Sequence, residues 1–254
     1  MFPAERRRKI ERLVHEKGTV SISTLSEMFD VSEMTIHRDL NALEHMGALQ
    51  KMRGGALASQ PYTVPTEYRK RLISYQQEKD IIGRRAVEFI KDGDTIFIDP
   101  GTTGLSIAHH CRGFRNLTVY TNGPAIVSEL ASIEGVEVHC TGGLLAKCTM
   151  AFVGPEAERV ISRLRPDKSF IGAHGFTLDN GVMEPLPLEA SVKRCLVEVT
   201  QEVYLVVTAE KFGHIAQHVA APLEAIDVVV THDDTPPHYL KELERNGIRC
   251  VVAS

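Results

Sequence analysis

The amino-acid sequence predicts an α/β fold preceded by a small helical segment that is organised separately. Three observations lead there. Over the first part of the chain apolar residues repeat at helical spacing and run into a double glycine, Gly54-Gly55. Residues 58–76 (ASQPYTVPTEYRKRLISYQ) are polar, hold two prolines and keep no period, as a linker does. From Gln77 onward short, nearly continuous apolar runs alternate with amphipathic stretches, the pattern of a parallel sheet covered on both faces. With 254 residues, 43% hydrophobic and 24% charged, the chain is long enough for two unequal domains and excludes a disordered or collagen-like protein. The expected boundaries are 1–57, a linker over 58–76, and 77–254.

The elements of the first segment follow in order. Ile10, Leu13 and Val14 fall at i, i+3 and i+4, and Gly18 stops that helix. A β-like stretch, Thr19–Ile22, precedes a helix expected to be capped by Ser23, with Leu25, Met28 and Phe29 inward. Ser32 is the expected N-cap of a third helix carrying Ile36, Leu40 and Leu43 on one stripe, and Gly47 ends it. Residues 48–57 then alternate around the double glycine, which predicts a β-hairpin. Three short helices, a three-residue turn and a hairpin make a winged helix-turn-helix.

In the second segment strands are predicted near 95–98, 117–120, 136–140, 169–171, 203–207, 226–230 and 248–252. Helices are predicted over 79–90, 125–132, 155–164, 189–199 and 237–246. No apolar run is long enough to span a membrane. The N-terminus lacks the apolar core of a secretory signal, so the expected location is cytoplasmic. Five cysteines without CxxC spacing give no disulfide framework or zinc ribbon, and no cofactor or metal is expected.

Charge is uneven. Residues 1–75 carry 12 Lys+Arg against 9 Asp+Glu, and the remainder 17 against 24, so polyanion binding belongs to the first segment. With the stripe of the third helix inward, Met34, His37, Arg38, Asn41 and His45 point outward. Ser32 and Thr35 stand at the helix N-terminus, where a recognition helix meets base edges and phosphates. Arg38 and His37 can donate to guanine, and Thr35 suits phosphate or a thymine methyl. Lys51 and Arg53 flank the hairpin tip, where Gly54 and Gly55 allow a close backbone approach to DNA. Arg6, Arg7 and Arg8 are expected to add attraction to phosphate. The bland alternative is a helical protein-binding module with a solvated charged face. Double-stranded DNA is the expected partner, read as a homodimer or homotetramer.

The run from Val31 to Leu43, followed by Gly47, Leu49 and Arg53-Gly54-Gly55-Ala56, resembles the signature of DeoR-type bacterial transcriptional regulators. Two departures are visible: the family has Arg at His37 and His at Arg53. The resemblance continues through Arg71, Lys79, Asp99–Thr103, Thr121-Asn122, Gly142-Gly143, Asp167-Lys168, Phe170–Ala173, Gly175, Glu189, Lys193-Arg194 and Lys211-Phe212-Gly213. It implies a Rossmann-like α/β sensor domain similar to ribose-5-phosphate isomerase and glucosamine-6-phosphate deaminase.

Three loops after predicted strands support a ligand site on their own account. Asp99-Pro100-Gly101-Thr102-Thr103-Gly104 leads into a helix and is suited to a phosphate. Thr121-Asn122-Gly123 and Thr141-Gly142-Gly143 follow the next two strands, where open α/β sheets bind ligands. Each loop alone is equally well a chain reversal. The resemblance implies that Asp99, Gly101, Thr102 and Thr103 hold a phosphate, with Thr121, Asn122, Gly142, Gly143 and Lys211 in the same cleft. The family reads D-x-S-K-F-G where this chain has Thr208–Gly213 with Glu210. His174 and Glu189 are further candidates, against a strand-end hydrogen-bonding His and a helix-N-terminal charge.

The expected function is a DNA-binding transcriptional regulator, a repressor of a carbohydrate-utilisation operon controlled by a phosphorylated sugar or polyol. Two alternatives stand beside it: an aldose–ketose isomerase with an accessory DNA-binding domain, and a metal- or redox-responsive regulator. The acidic loop of the related isomerases is not matched at Gly172–Gly175, which favours a sensor over an enzyme.

Overall fold

Helix α1 (Pro3–Lys17) buries Ile10 and Val14, one turn apart, and ends at Gly18, whose φ of +73° an L side chain rarely adopts. Strand β1 (Thr19–Ser21) follows, then α2 (Ile22–Phe29). The cap of α2 is Ser21, not Ser23: its Oγ accepts the Thr24 N–H at 3.1 Å. Ile22 is buried, so the helix begins early enough to place it inward. A turn with Asp30 at φ 49° leads to α3 (Glu33–His45), where the Ser32 Oγ accepts the Thr35 N–H at 3.3 Å. Strands β2 (Leu49–Met52) and β3 (Gly55–Ala58) form the hairpin, and β1 pairs with β3 to complete a three-stranded antiparallel sheet. Ile36, Leu40 and Leu43 lie with Ile10, Val14, Leu25 and Leu49 in one core. This is the winged helix-turn-helix predicted from the sequence.

The computed structural model describes residues 3–45, 49–52, 54–58 and 66–254, and the chain divides into two units, Met1–Val64 and Pro65–Ser254. Gly47, Arg53 and residues 59–65 of the expected linker lie outside the described residues. The rest of that expected linker is largely helical: α4 (Thr66–Ile73) buries Tyr68, and α5 (Gln76–Val87) begins soon after. Tyr68 is a lone buried apolar residue in a polar helix, too little to register as a period.

The second unit is built on seven parallel strands: β4 (Thr95–Ile98), β5 (Leu117–Thr121), β6 (Val136–Cys140), β9 (Lys168–Ile171), β12 (Glu202–Val206), β14 (Val228–His232) and β15 (Arg249–Ala253). Their order is β15-β14-β12-β9-β4-β5-β6. All seven predicted strands are in this sheet. Successive side chains point to opposite faces, so Phe97 joins one core cluster while Ile96 and Ile98 join the other. The second face packs against α5, α6 (Thr102–His110) and α7 (Pro124–Leu130). The first packs against α8 (Pro155–Ile161), α9 (Pro187–Val199) and α10 (Pro237–Arg245).

Two antiparallel additions were not predicted. One is the hairpin of β7 (Leu144–Ala146) and β8 (Ala151–Val153); the other is a small sheet of β10 (Gly175–Thr177), β11 (Gly181–Glu184) and β13 (His218–Ala221).

Chain order reverses between β4 and β9. The chain runs outward through β5 and β6, then returns to lay β9 on the other side of β4. Ligands bind outside the carboxyl ends of strands at such a point. Here the ends of β4 and β9 are joined by the Asp99 N–H donating to the Phe170 carbonyl at 3.0 Å, and the Gly172 N–H donating to Asp99 Oδ2 at 3.0 Å.

Candidate nucleic-acid interface and ligand cavity

On α3 the inward stripe leaves Met34, Arg38 and Asn41 exposed and His37 half-buried, in one row at helical spacing. Lys51, on β2, donates through Nζ to Asn41 Oδ1 at 2.8 Å, so the hairpin side chain meets the exposed face of α3. Ser32 and Thr35 hydrogen-bond each other at 2.9 Å at the start of the helix. The glycines divide. Gly54 is exposed at φ +91° with open space where a Cβ would stand, whereas Gly55 is buried with a Cβ position 2.5 Å from the Val20 carbonyl oxygen. Gly55 therefore serves the approach of β1 to β3.

The expectation for the arginine run needs correction. Arg6 is buried and donates to Asp39 Oδ2 at 2.6 Å, and Arg7 donates to Oδ1 of the same carboxylate at 2.9 Å. Asp39 lies buried on α3 and takes both as counter-charges, because a lone carboxylate there would be costly. Arg8 is exposed.

In the second unit a cavity of about 330 Å³ opens at the carboxyl ends of β4, β5, β9 and β12. Its floor is the turn Asp99–Gly104, which carries the chain from β4 into α6. Gly101 is the N-cap at φ 126°, and no side chain caps the helix, so the first-turn amides remain for another acceptor. Gly104 brings that turn against the strand end; a Cβ there would lie 2.2 Å from the Asp99 carbonyl oxygen.

The back wall is a buried ionic cluster. Lys193 of α9 stands 3.1 Å from Asp99, donates to the Gly172 carbonyl at 2.7 Å and pairs with Glu184 at the end of β11. Burial works against the Lys193 ammonium, but Asp99 and Glu184 outweigh it and raise its pKa. Burial pushes the Asp99 carboxyl up, opposed by Lys193 and reinforced by Glu184. Two carboxylates share one ammonium here. Burial likewise raises Glu189, which accepts a hydrogen bond from Thr149. Burial lowers His174 against the pull of Glu184.

Asn122 is 2% exposed and donates through Nδ2 to the Phe152 carbonyl at 2.9 Å. Its Oδ1 is buried and has no hydrogen-bond partner among the described residues. The remaining wall comes from α4 and the turn after it (Glu67, Lys70, Arg71, Ser74, Tyr75), from Lys79, and from Thr208, Glu210 and Lys211. Lys211 pairs with Glu210 at 3.0 Å.

Asp99, Gly101, Thr102, Thr103, Asn122, His174, Glu189 and Lys211 thus line one cavity, while Thr121, Gly142 and Gly143 are not in its wall. Thr121 is fully buried; its hydroxyl donates to the Ile98 carbonyl at 2.7 Å and accepts the Gly123 N–H at 3.0 Å. Gly142 and Gly143 have φ of 65° and 116°, and Gly143 passes close to the Val153 carbonyl oxygen. They turn the chain after β6. Glu184, Thr149 and Glu210 were missed as site residues. Arg71, Lys79 and Lys193 appeared only within the family resemblance, without a role. Lys193 was readable as the residue one turn after Glu189 on a predicted helix; Glu184 lies on a strand that was not predicted.

Elsewhere, His109 lies 3.3 Å from Glu129 and His110 2.8 Å from Asp80, while burial pushes the Cys111 thiol up to about 12. His232 faces both Asp233 and Asp234. None of the described helices is long and apolar enough to cross a membrane.

Comparison with known proteins places both halves. Residues 6–61 match the DeoR-like helix-turn-helix domain, and residues 74–233 match the DeoR C terminal sensor domain. Across 253 residues the chain is 32% identical to the uncharacterized HTH-type transcriptional regulator YgbI of Escherichia coli K12, covering 100% of this chain and 99% of that one. It is 30% identical over 253 residues to the HTH-type transcriptional regulator GolR of Listeria innocua, covering 100% of both. Among solved structures, a ribose-5-phosphate isomerase in complex with phospho-erythronic acid aligns with TM-score 0.41 at 10% identity over 54% of each chain. The end-to-end relatives are named as regulators rather than enzymes, and with both domain matches they establish that the chain belongs to the DeoR family, as a DNA-binding HTH-type transcriptional regulator.

Proposed function

We propose that the cavity binds a phosphorylated sugar or polyol, and that its occupancy sets the affinity of the winged helix for an operator in a carbohydrate-utilisation operon. The observation that carries this reading is the uncapped first turn of α6, held open on Gly101 at the cavity floor. Its amides and the positive end of the helix dipole match a phosphate without a competing side chain. Asn122 Oδ1 asks for a donor, which a dianionic phosphate monoester lacks and a sugar or polyol hydroxyl supplies. Glu189, Thr149 and Lys211 give further partners for hydroxyls along the same wall.

On the DNA side Ser32, Thr35, His37, Arg38, Asn41 and Lys51 are assigned to the operator, with Gly54 at the tip of the wing. The protein reads a pseudo-palindrome as a homodimer or homotetramer, as helix-turn-helix proteins do. Repression is in keeping with relatives named a putative aga operon transcriptional repressor and transcriptional repressor AccR.

The test is a thermal-shift screen of phosphorylated sugars and polyols, each beside its unphosphorylated parent. A ligand that binds only the folded state raises the melting temperature. Thr102→Pro removes one first-turn amide at a position where helices accept proline, and the shift should then shrink. No shift from any phosphorylated compound overturns the reading.

A further inference from the structure

We propose that Arg71 is an effector-binding residue carried to the cavity by α4, and that an oxyanion bound there fixes this helix. The inference rests on the reading of the cavity as a phosphate site. It starts from how the cations of the wall are partnered. Lys193 stands between Asp99 and Glu184, Lys211 is 3.0 Å from Glu210, and Lys70 is 3.0 Å from Glu67. Arg71 and Lys79 have no carboxylate within ion-pair distance among the described residues.

These two cations differ in what they can do. Lys79 is buried, and its ammonium donates to the Ser74 carbonyl at 2.6 Å and to the Arg71 carbonyl. It closes the C-terminal turn of α4 and is occupied by that role. The Arg71 guanidinium sends Nη2 to the Cys148 carbonyl at 2.9 Å, across to the turn between β7 and β8, and lies 5.6 Å over the Tyr68 ring. A guanidinium has five donors in a rigid fork suited to two oxygens of one oxyanion. Here a single neutral carbonyl takes one of them. Among the described residues the fork thus keeps four of its five donors free at the cavity wall, on a scaffold braced by Tyr68 and Lys79. In chain order α4 is also the first described element after β3. An anion that fixes α4 fixes the element that opens the second unit.

The experiment is hydrogen exchange on the full chain, with inorganic phosphate replacing chloride at constant ionic strength, in wild type, Arg71→Gln, Arg71→Lys and Thr102→Pro. In wild type, phosphate slows exchange over residues 66–75 and over the first turn of α6. Arg71→Gln weakens phosphate binding about tenfold to a hundredfold, the worth of a charged hydrogen bond. At saturating phosphate it keeps the protection of α6 and loses that of 66–75, a separation that mere loss of folding does not produce. Arg71→Lys retains the charge without the fork and falls between; if Arg71→Gln does not fold, this variant decides. Wild-type affinity and unchanged protection of 66–75 in the Arg71 variants, with binding still weakened in Thr102→Pro, overturn this inference alone. No effect of phosphate on the wild type overturns the sensor reading and this inference with it.

Discussion

Replacing Lys193 by Met tests whether the back wall is an ionic cluster that depends on its one ammonium. The side chains of Lys193, Asp99 and Glu184 are 5%, 7% and 10% exposed, so water does little to screen the loss. Met fills much of the same volume but leaves two buried carboxyls without a counter-charge. Removing one partner of a buried pair costs about 3–5 kcal/mol. For a unit of this size each kcal/mol shifts Tm by roughly 2–4 °C, which puts the expected loss near pH 8 at about 6–20 °C. The pH dependence is the sharper signature. Burial already raises Asp99, and without Lys193 its principal opposing charge is gone. A carboxyl raised in the folded state stabilises fully below its unfolded value of about 4, and that stability is lost as pH climbs through the folded value. The deficit of Lys193→Met should therefore be small near pH 4.5 and full at pH 8. Calorimetry at both pH values, following the transition of the second unit, reads it. Lys193→Met with Glu184→Gln should recover part of the loss. An equal deficit at both pH values would refute the electrostatic account and leave only packing.

Three other outcomes are expected. Arg38→Ala should relax sequence preference at one base position, whereas Lys51→Ala should weaken binding to all DNA and flatten its salt dependence; salt titrations on matched and scrambled duplexes separate the two. Gly55→Ala should destabilise the winged helix by about 1–3 kcal/mol of overpacking, read as a lower melting temperature, because its Cβ would meet the Val20 carbonyl at 2.5 Å. Lys79 is lowered to about 8, chiefly by burial. A base depressed in the folded state binds fewer protons there than when unfolded, so its contribution grows with pH between about 8 and 10.5. The stability of wild type relative to Lys79→Met should rise over that window, by at most about 1.4 kcal/mol per pH unit, in denaturant titrations.

The parallel sheet was legible because its strands are buried on both faces and read as apolar runs, such as Thr95–Ile98 and Val228–His232, and the helices between them are amphipathic. The winged helix was legible from Ile36, Leu40 and Leu43 and from the double glycine. What stayed hidden has a common cause. The strands β7, β8, β10, β11 and β13 have only three or four residues each and fall outside the strand-then-helix alternation that marks equally short β4 and β9, and α4 buries one aromatic in a polar helix. Those same elements deliver Thr149, Glu184 and Arg71 to the cavity. The Asp99–Gly104 turn could be read because glycines and threonines mark a strand-to-helix turn locally. The Asp99–Lys193–Glu184 cluster could not, because its members come from three separate elements that only the closed topology brings together. Arg6 misled for the converse reason: a basic run looks alike whether it faces solvent or, as here, a buried Asp39.

The same cluster bears on what kind of ligand suits the cavity. Its wall holds the carboxylates of Glu67, Asp99, Glu184, Glu189 and Glu210, acceptors that a bound phosphate alone leaves without sugar or polyol hydroxyl partners. Most of its cations are already matched to them. The positive field left over comes from the first turn of α6 and from Arg71, while the carboxylates and Asn122 Oδ1 call for donors. A ligand with acceptors at one end and hydroxyl donors at the other satisfies both sets; inorganic phosphate satisfies one and a free polyol the other. Joining the halves makes the second contact intramolecular, with no further loss of translational freedom. On the proposed reading, the binding free energy of the phosphorylated compound should exceed the sum for phosphate and parent polyol measured separately by calorimetric titration. A phosphorylated ligand that binds no tighter than phosphate itself would mean that the acidic wall serves only to hold Lys193 and its neighbours in place.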